Sequence, residues 1–475
     1  MRPTSTVNRL GTKTIGRARI RRLAVSVAAA ALVTALGAGA GLAMTIKEAV
    51  QVAVDSHPTV LAAKSGQAAF GREIDEAYAR YLPNVDTRVG VGYDDFTNNT
   101  TRFRRTRGTN SAGVRTFHQD ASITLNQLLF DGFETPNLVD AARFREAVAG
   151  HQVTDAEENI ALDAIEFFFE VHRSREILKL ARDNVDAHRA VFENVRLLVE
   201  SGAANSADLQ QAQSRLSLAQ ARLVEQEGLL RNAEANFLQA IGVMPDDLEI
   251  GEAPTTAVPA TLEDAVARAA AQNPAILAAG TAVLSRRAEA RAAEGPFVPR
   301  LDVEVRGSGE NNVNGTRGDG HSVQALLVMR YNWYSGGRDT ARLRGAQHRA
   351  AQQLMRERET RRQIDEQIRL DWARYQTAKG REPELEVRVD AAQQVVSAYR
   401  QQFELGQRTL LDVLDVENEL FQARSELVSV QTDVHFSQYA ILHTLGAVRA
   451  TLGVSSATPE EVQTPEDVPL LLLGK

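Results

Sequence analysis

Two carboxylates stand three residues apart in "LGQRTLLDVLDVENEL", residues 405–420, at Asp412 and Asp415. On a helix that spacing puts both on one face. Four arrangements use such a pair: a general acid and base, half of a metal site, ordinary solvated surface, or a charged ring built by several copies of the chain. The first two need further ligands or a neighbouring histidine. The nine His residues form no close ligand motif, His435 and His443 being eight apart and the others more scattered. "GAG" and "GQR" lack the strand-loop-helix setting of nucleotide sites, and there is no Walker sequence. The expectation is therefore no enzyme, no cofactor and no metal, with the choice between surface and ring left to whatever positions the pair.

The composition points to helices. The chain has 475 residues, 5% of them aromatic, with abundant Ala, Gln, Glu and Arg, which suits extended helical packing better than large globular cores. A net charge of -7 and the lack of a long basic tract argue against nucleic acid as a main partner. Arg17, Arg19, Arg21 and Arg22 precede an apolar run from Leu23 to about Ala40, and "GLA" follows at 41–43, so residues 1–43 read as a secretory signal peptide. There is no Cys, hence no disulfide and no lipidated N-terminal Cys. After residue 43 no apolar run approaches the roughly 20 residues that a helical span requires.

An internal duplication organises the remainder. "TIKEAVQVAVDSHPTVLAAK" from Thr45 matches "TLEDAVARAAAQNPAILAAG" from Thr261, Pro58 answering Pro274 at an offset of 216. "YLPNVD" pairs with "FVPRLD" at the same offset, and Gly202 answers Gly406 at an offset of 204. The first copy covers 44–242, a linker 243–260, the second copy 261–450, and a polar tail 451–475. Each copy reads as a short helix, two strands around a polar loop, a very long helix, a turn and a returning helix.

The strands, at about 84–93, 119–128, 300–309 and 323–333, alternate in the manner of outer-membrane strands: Val85, Val89, Val91 and Tyr93 against Asp86, Arg88, Gly90 and Gly92, for example. Four strands cannot close a membrane barrel, because two edges would leave N–H and C=O groups unpaired in hydrocarbon at several kcal/mol each. Copies of the chain must supply the missing strands. The intervening loops, 94–118 and 310–321, are polar and rich in Gly, Asn and Thr.

The helices carry a seam. Leu209, Leu216, Leu223, Leu230 and Phe237 recur every seven residues in the first return helix, about 206–241; Val413, Leu420, Leu427, Val434 and Ile441 do so in the second, about 409–444. The outgoing helices, about 134–200 and 338–402, each reach about 100 Å at 1.5 Å per residue, and the short helices, about 59–80 and 275–296, have the length to stack end to end with the return helices and cover most of the rest. Gly380 and Pro383 are expected to interrupt the second. At the far end Gly202 and Gly406 suit helix C-terminal turns, while Ser206 and Thr409 suit the N-caps that follow.

The duplicated plan, "LFDGF" before the first long helix, "WYSGGRDTARLR" before the second and above all "GQRTLLDVLDVENEL" resemble the TolC family of outer-membrane export channels, over about 45–450. The resemblance implies a homotrimer: four strands per chain in one 12-stranded transmembrane β-barrel set in outer-membrane lipid, and a periplasmic coiled-coil α-barrel that tapers to an iris. It implies that Asp412 and Asp415 ring the periplasmic entrance and that Arg408 is tied to Asp208 at the tip. Phe403 stands where some members have Tyr, and Ala207 where they have Thr, so that hydroxyl pair is missing. The partners implied are a periplasmic adaptor and an energised inner-membrane transporter of ABC type. The cargo is an exported polypeptide in type I secretion or, as the alternative, a small molecule in efflux; a non-channel helical adaptor or stalk is a further alternative.

Overall fold

The computed structural model describes residues 43–96, 114–202, 205–251, 253–312 and 318–455. Nearly all of the expected signal peptide, the middle of both polar loops and the tail beyond 455 lie outside the described residues.

A two-residue strand, β1 (Met44–Thr45), leads into α1 (Ile46–Ser56), where Thr45 and Glu48 cap each other's backbone. Proline at the next helical start has no N–H to leave unpaired and separates α1 from α2 (Pro58–Ala79). Then follow β2 (Asn84–Phe96), β3 (Val114–Phe130), α3 (Glu134–Glu200) and α4 (Ser206–Ile241). After β4 (Leu248–Glu249) in the linker come α5 (Leu262–Gln272), α6 (Pro274–Ala292), β5 (Arg300–Asn311), β6 (Asp319–Arg330), α7 (Arg338–Glu404), α8 (Leu410–Leu445) and the short α9 (Val448–Leu452). Both long helices have 67 residues and both return helices 36.

Each long helix is accompanied by two shorter ones set end to end. Past α8, Gly446 adopts φ +71, and a Cβ there would lie 2.7 Å from Cδ of Pro274, so a side chain would push α6 away from the end of α8. Asn273 spans the same joint: its Nδ2 donates to the Thr444 carbonyl at 3.0 Å while its Oδ1 caps Ile276 N–H. The seam residues Leu216, Phe237, Val413, Leu420 and Ile441 are buried, as are the small Ala212, Ala219 and Ala423 that let the helices approach.

The largest core lies at mid-length, where α1, α5 and α9 cross the long helices around Phe168, Phe169, Phe237, Ile368 and Leu442. The linker expected at 243–260 contains β4, which pairs in parallel with β1, Met44 opposite Leu248, and so joins the starts of the two copies into a belt. A charged cluster fixes α9 there. Lys64 Nζ lies 3.2 Å from Glu157, Arg449 pairs with the same carboxylate, and Glu158 accepts from Val448 N–H at 2.9 Å. Burial pushes Glu158 up to about 7 against the pull of the Val448 and Arg449 N–H groups. Burial likewise pushes His443, whose Nε2 lies 2.9 Å from Asn159 Oδ1, down to about 4.

The strands form one antiparallel sheet, ordered β2-β3-β5-β6, with β2 and β6 as open edges. Register makes its faces unlike. Val85, Leu125, Val305 and Ala325 stand in one row; Asp86, Thr124, Arg306 and Gln324 stand in the next, on the other face. The apolar face is bare in the single chain, Val323 being 83% exposed.

Two expectations need correction. The last strand stops at Arg330 rather than 333, because Asn332 Oδ1 accepts from Tyr334 N–H at 3.2 Å and turns the chain, leaving Trp333 88% exposed beyond it. Helix α7 runs unbroken through Pro383. Arg381 and Arg388, on either side of the proline, both reach Glu426 of α8 at 2.7 Å and hold the helix to its neighbour where a backbone bond is missing.

Candidate functional site at the hairpin tips

Helices α3 and α4 form one hairpin, α7 and α8 the other. The first turns at Gly202, φ +80, and the second at Gly406, φ +70, a left-handed conformation that a side chain would strain. In the second turn Thr409 is the N-cap: its Oγ1 accepts from Asp412 N–H at 3.3 Å, while Asp412 Oδ2 accepts from Thr409 N–H at 3.1 Å and from its hydroxyl at 2.8 Å. In the first turn the cap is Asn205, not Ser206. Its Oδ1 accepts from Ala207 N–H at 2.5 Å and from Asp208 N–H at 3.3 Å, which makes Ser206 the first helical residue. The 204-residue offset carries this information, since it aligns Asn205 with Thr409 and Asp208 with Asp412.

The two aspartates are held differently. Hydrogen bonds from Thr409, with the Arg408 charge a smaller cause, hold the Asp412 carboxyl below the usual range. Asp415, one turn on, pairs at 2.9 Å with Arg215 Nη2 of α4. Arg222 of α4 also donates to Asn418 Oδ1, so two arginines of the first hairpin join it to α8.

Arg408 and Asp208 line one cleft of about 1340 Å³ between the hairpin ends, with Val191, Val195, Leu198 and Leu410. Among the described residues no ion pair joins them. The restraint expected between Arg408 and Asp208 is not made within one chain. Arg408 instead donates from Nε to Gln402 Oε1 at 2.9 Å and lays its guanidinium 4.1 Å over the Tyr399 ring. Phe403 packs onto the small apolar cluster of Val191, Val195, Leu410 and Val413, an apolar role for the position that lacks a hydroxyl.

One tie in the second hairpin has no counterpart in the sequence reading. Glu417, its side chain 5% exposed, accepts from Arg400 Nε at 2.5 Å. A signal was present: Glu417 lies between Val413 and Leu420 on the buried stripe of α8, where a carboxylate requires a partner. No comparable signal exists for Arg215, which meets Asp415 across 200 residues of chain. Among the described residues no group of three or more His, Cys, Asp or Glu side chains is placed to hold a metal.

A long helical rod with duplicated hairpins and a sheet bare on one apolar face defines a class of membrane conduit, and comparison with known proteins agrees. The family model described as outer membrane efflux protein matches residues 49–243 and 265–447, and the chain belongs to that family. Outer membrane efflux protein BepC of Brucella suis is 28% identical over 433 residues, covering 87% of this chain and 94% of that one. Alkaline protease secretion protein AprF of Pseudomonas aeruginosa is 26% identical over 363 residues, 72% of each chain. Among solved structures, the Campylobacter jejuni CmeC outer membrane channel superposes with a TM-score of 0.74 at 11% identity, covering 85% of this chain and 86% of that one. CusC gives 0.73 at 14% identity, covering 84% and 91%. The chain is thus an outer-membrane transport protein of Gram-negative type that extends into the periplasm, a conduit rather than an enzyme. No helix among the described residues is long and apolar enough to cross a membrane.

Proposed function

We propose that three copies close one 12-stranded barrel and one helical tunnel, through which cargo leaves an inner-membrane transporter for the outside. The observation that carries this is the four-stranded sheet with two open edges and one bare apolar face. Only further strands can satisfy those edges in lipid. In this reading Asp412 and Asp415 ring the periplasmic entrance, and Arg408 and Asp208, unpaired with each other inside one chain, face neighbouring copies. The partners are a periplasmic adaptor and an energised transporter of ABC type. The cargo is a polypeptide exported by type I secretion, a reading supported by the similarity to AprF and to the proteases secretion protein PrtF of Dickeya chrysanthemi. The similarity to BepC favours small-molecule efflux as the second reading. The native mass of the detergent-extracted protein tests the assembly: a trimer is expected, and a stable conducting monomer would refute it. Deleting the protein should then retain one large secreted polypeptide inside the cell; normal secretion with loss of compound efflux would reverse the order of the two cargoes.

A further inference from the structure

Helix α7 is strongly cationic where it leaves the sheet, and its arginines fall into two sets. Arg342, Arg349 and Arg356 recur every seven residues and are all exposed. At 3.6 residues per turn they form one stripe, with successive guanidiniums about 10 Å apart along the axis. Arg349 and Arg356 make no ion pair among the described residues, and Arg342 has only the charge of Asp339 one turn back. On the other side of the helix Arg361 and Arg369 are neutralised, while Arg358 and Arg362 make no ion pair among the described residues. Arg361 pairs with Glu357 and donates to the Ala270 carbonyl of the belt, and Arg369 pairs with Asp365 at 3.1 Å.

The belt fixes which stripe faces inward. A second layer built from α1, α5 and α9 has room only outside a closed tunnel. Ile368 enters the belt core and Arg361 touches α5, so that side of α7 is the outer one. Arg342, Arg349 and Arg356 lie about 110° round the helix from those residues at 100° per residue. On α3 the belt side buries Ala164, Ile165 and Phe168, and the opposite side exposes Gln152, Asn159, Asp163 and Glu166, Gln152 being the counterpart of Arg356, while Arg145, the counterpart of Arg349, pairs with Glu73 and Glu289.

We propose that these arginines form a cationic ladder inside the barrel-side half of the tunnel, and that it receives acidic polypeptide in an extended state. The inference rests on the shared-tunnel reading above. Three copies stack three rings of three guanidiniums. In a narrow water-filled lumen with low-dielectric walls, such charges concentrate anions, and a guanidinium grips a carboxylate through two N–H bonds. An extended chain advances about 3.3 Å per residue, so every third side chain meets the next ring. Free small anions lack that repeat. The ladder therefore favours a chain over its monomers.

The test uses full-length protein reconstituted in planar bilayers, after its trimeric mass has been verified. Poly-L-glutamate, added on the barrel side, should block the current for long intervals, poly-L-lysine and monomeric glutamate far less. In the Arg342→Gln/Arg349→Gln/Arg356→Gln variant the block duration should fall at least tenfold. Arg358→Gln/Arg362→Gln, on the other side of the same helix, should leave it unchanged. An undiminished block in the triple variant, an equal loss in the double variant, or equal block by monomeric glutamate overturns the ladder while the tunnel stands. A wild-type protein that neither trimerises nor conducts overturns both.

Discussion

The two helical hairpins come from one duplicated plan and have helices of equal length, yet they are fastened by different means. The second is crossed by charge: Arg381 and Arg388 to Glu426, Arg400 to Glu417, and Arg408 laid on Tyr399 and bonded to Gln402. At the equivalent places the first hairpin has Arg196, which pairs along its own helix with Glu193 at 2.9 Å and Glu200 at 3.3 Å, and Gln213, which reaches only Ser217. Duplication preserved backbone length and capping while the cross-ties diverged. Among the described residues the charged tie between α3 and α4 is Arg175 to Glu234 at 3.8 Å, nearer the belt, so close to the tip the first hairpin is the less tied of the two.

The sharpest way to break that comparison is Arg400→Ala against Arg196→Ala. The first leaves the buried Glu417 without its half-exposed cation and should destabilise the second hairpin by about 1–3 kcal/mol. The second removes exposed pairs along one helix and should cost under about 0.5 kcal/mol. Hydrogen exchange over 410–420 and 206–216 reads the two directly; equal protection losses would mean that the hairpins are equivalent after all. Next in size is the separation of the aspartates. Asp415→Ala removes the partner of Arg215, so channel recordings should show higher baseline conductance. Asp412→Ala should mainly lower the preference for cations. The double variant should do both while the trimer survives, because Val413 and Leu420 still hold the seam. Unchanged selectivity in the double variant would make both residues ordinary surface.

At the caps the hairpins should behave alike. Thr409→Ala and Asn205→Ala each remove a side-chain acceptor from the first turn and should cost about 1 kcal/mol apiece, whereas Ser206→Ala should cost much less. The smallest expected effect is a cancellation in the belt that both hairpins share. Glu158 is raised to about 7 in the folded chain from an unfolded value of 4.5, so its contribution is full below 4.5 and is lost as pH rises through about 7. His443 is lowered to about 4 from 6.5, so its contribution is full above 6.5 and is lost as pH falls toward 4. Between 4.5 and 6.5 the slopes oppose, and the melting temperature should stay nearly flat. Glu158→Gln should expose a fall on acidification, His443→Gln a fall on alkalinisation; a flat profile in either variant would remove that group from the account.

What the sequence disclosed follows the range of the interactions involved. The seam and the Thr409–Asp412 cap are written within seven residues of chain, where helical geometry converts spacing into contact. Strand alternation is equally local and placed Val85 and Asp86 on opposite faces. Some strand ends were not so written: β3 starts at Val114 and β5 runs on to Asn311 because partners across the sheet extend the ladder, not because local residues favour it. Pro383 misled for the same reason, its helix being held by Glu426 from another element. The partner of Asp415 is the extreme case, chosen by a fold that brings positions 215 and 415 together. Tyr399 under Arg408 could have been proposed from a nine-residue separation, but only once the chain was known to turn back at Gly406.

The open edges at β2 and β6 also have a genetic consequence. If each copy supplies a third of one wall, no copy can compensate for a faulty neighbour. Should half the chains in a cell carry a substitution that spoils closure, only about one assembly in eight would contain none of them. Such an allele should act dominantly over a good one. A lesion at a surface loop of the same chain, which leaves both edges able to pair, should be recessive.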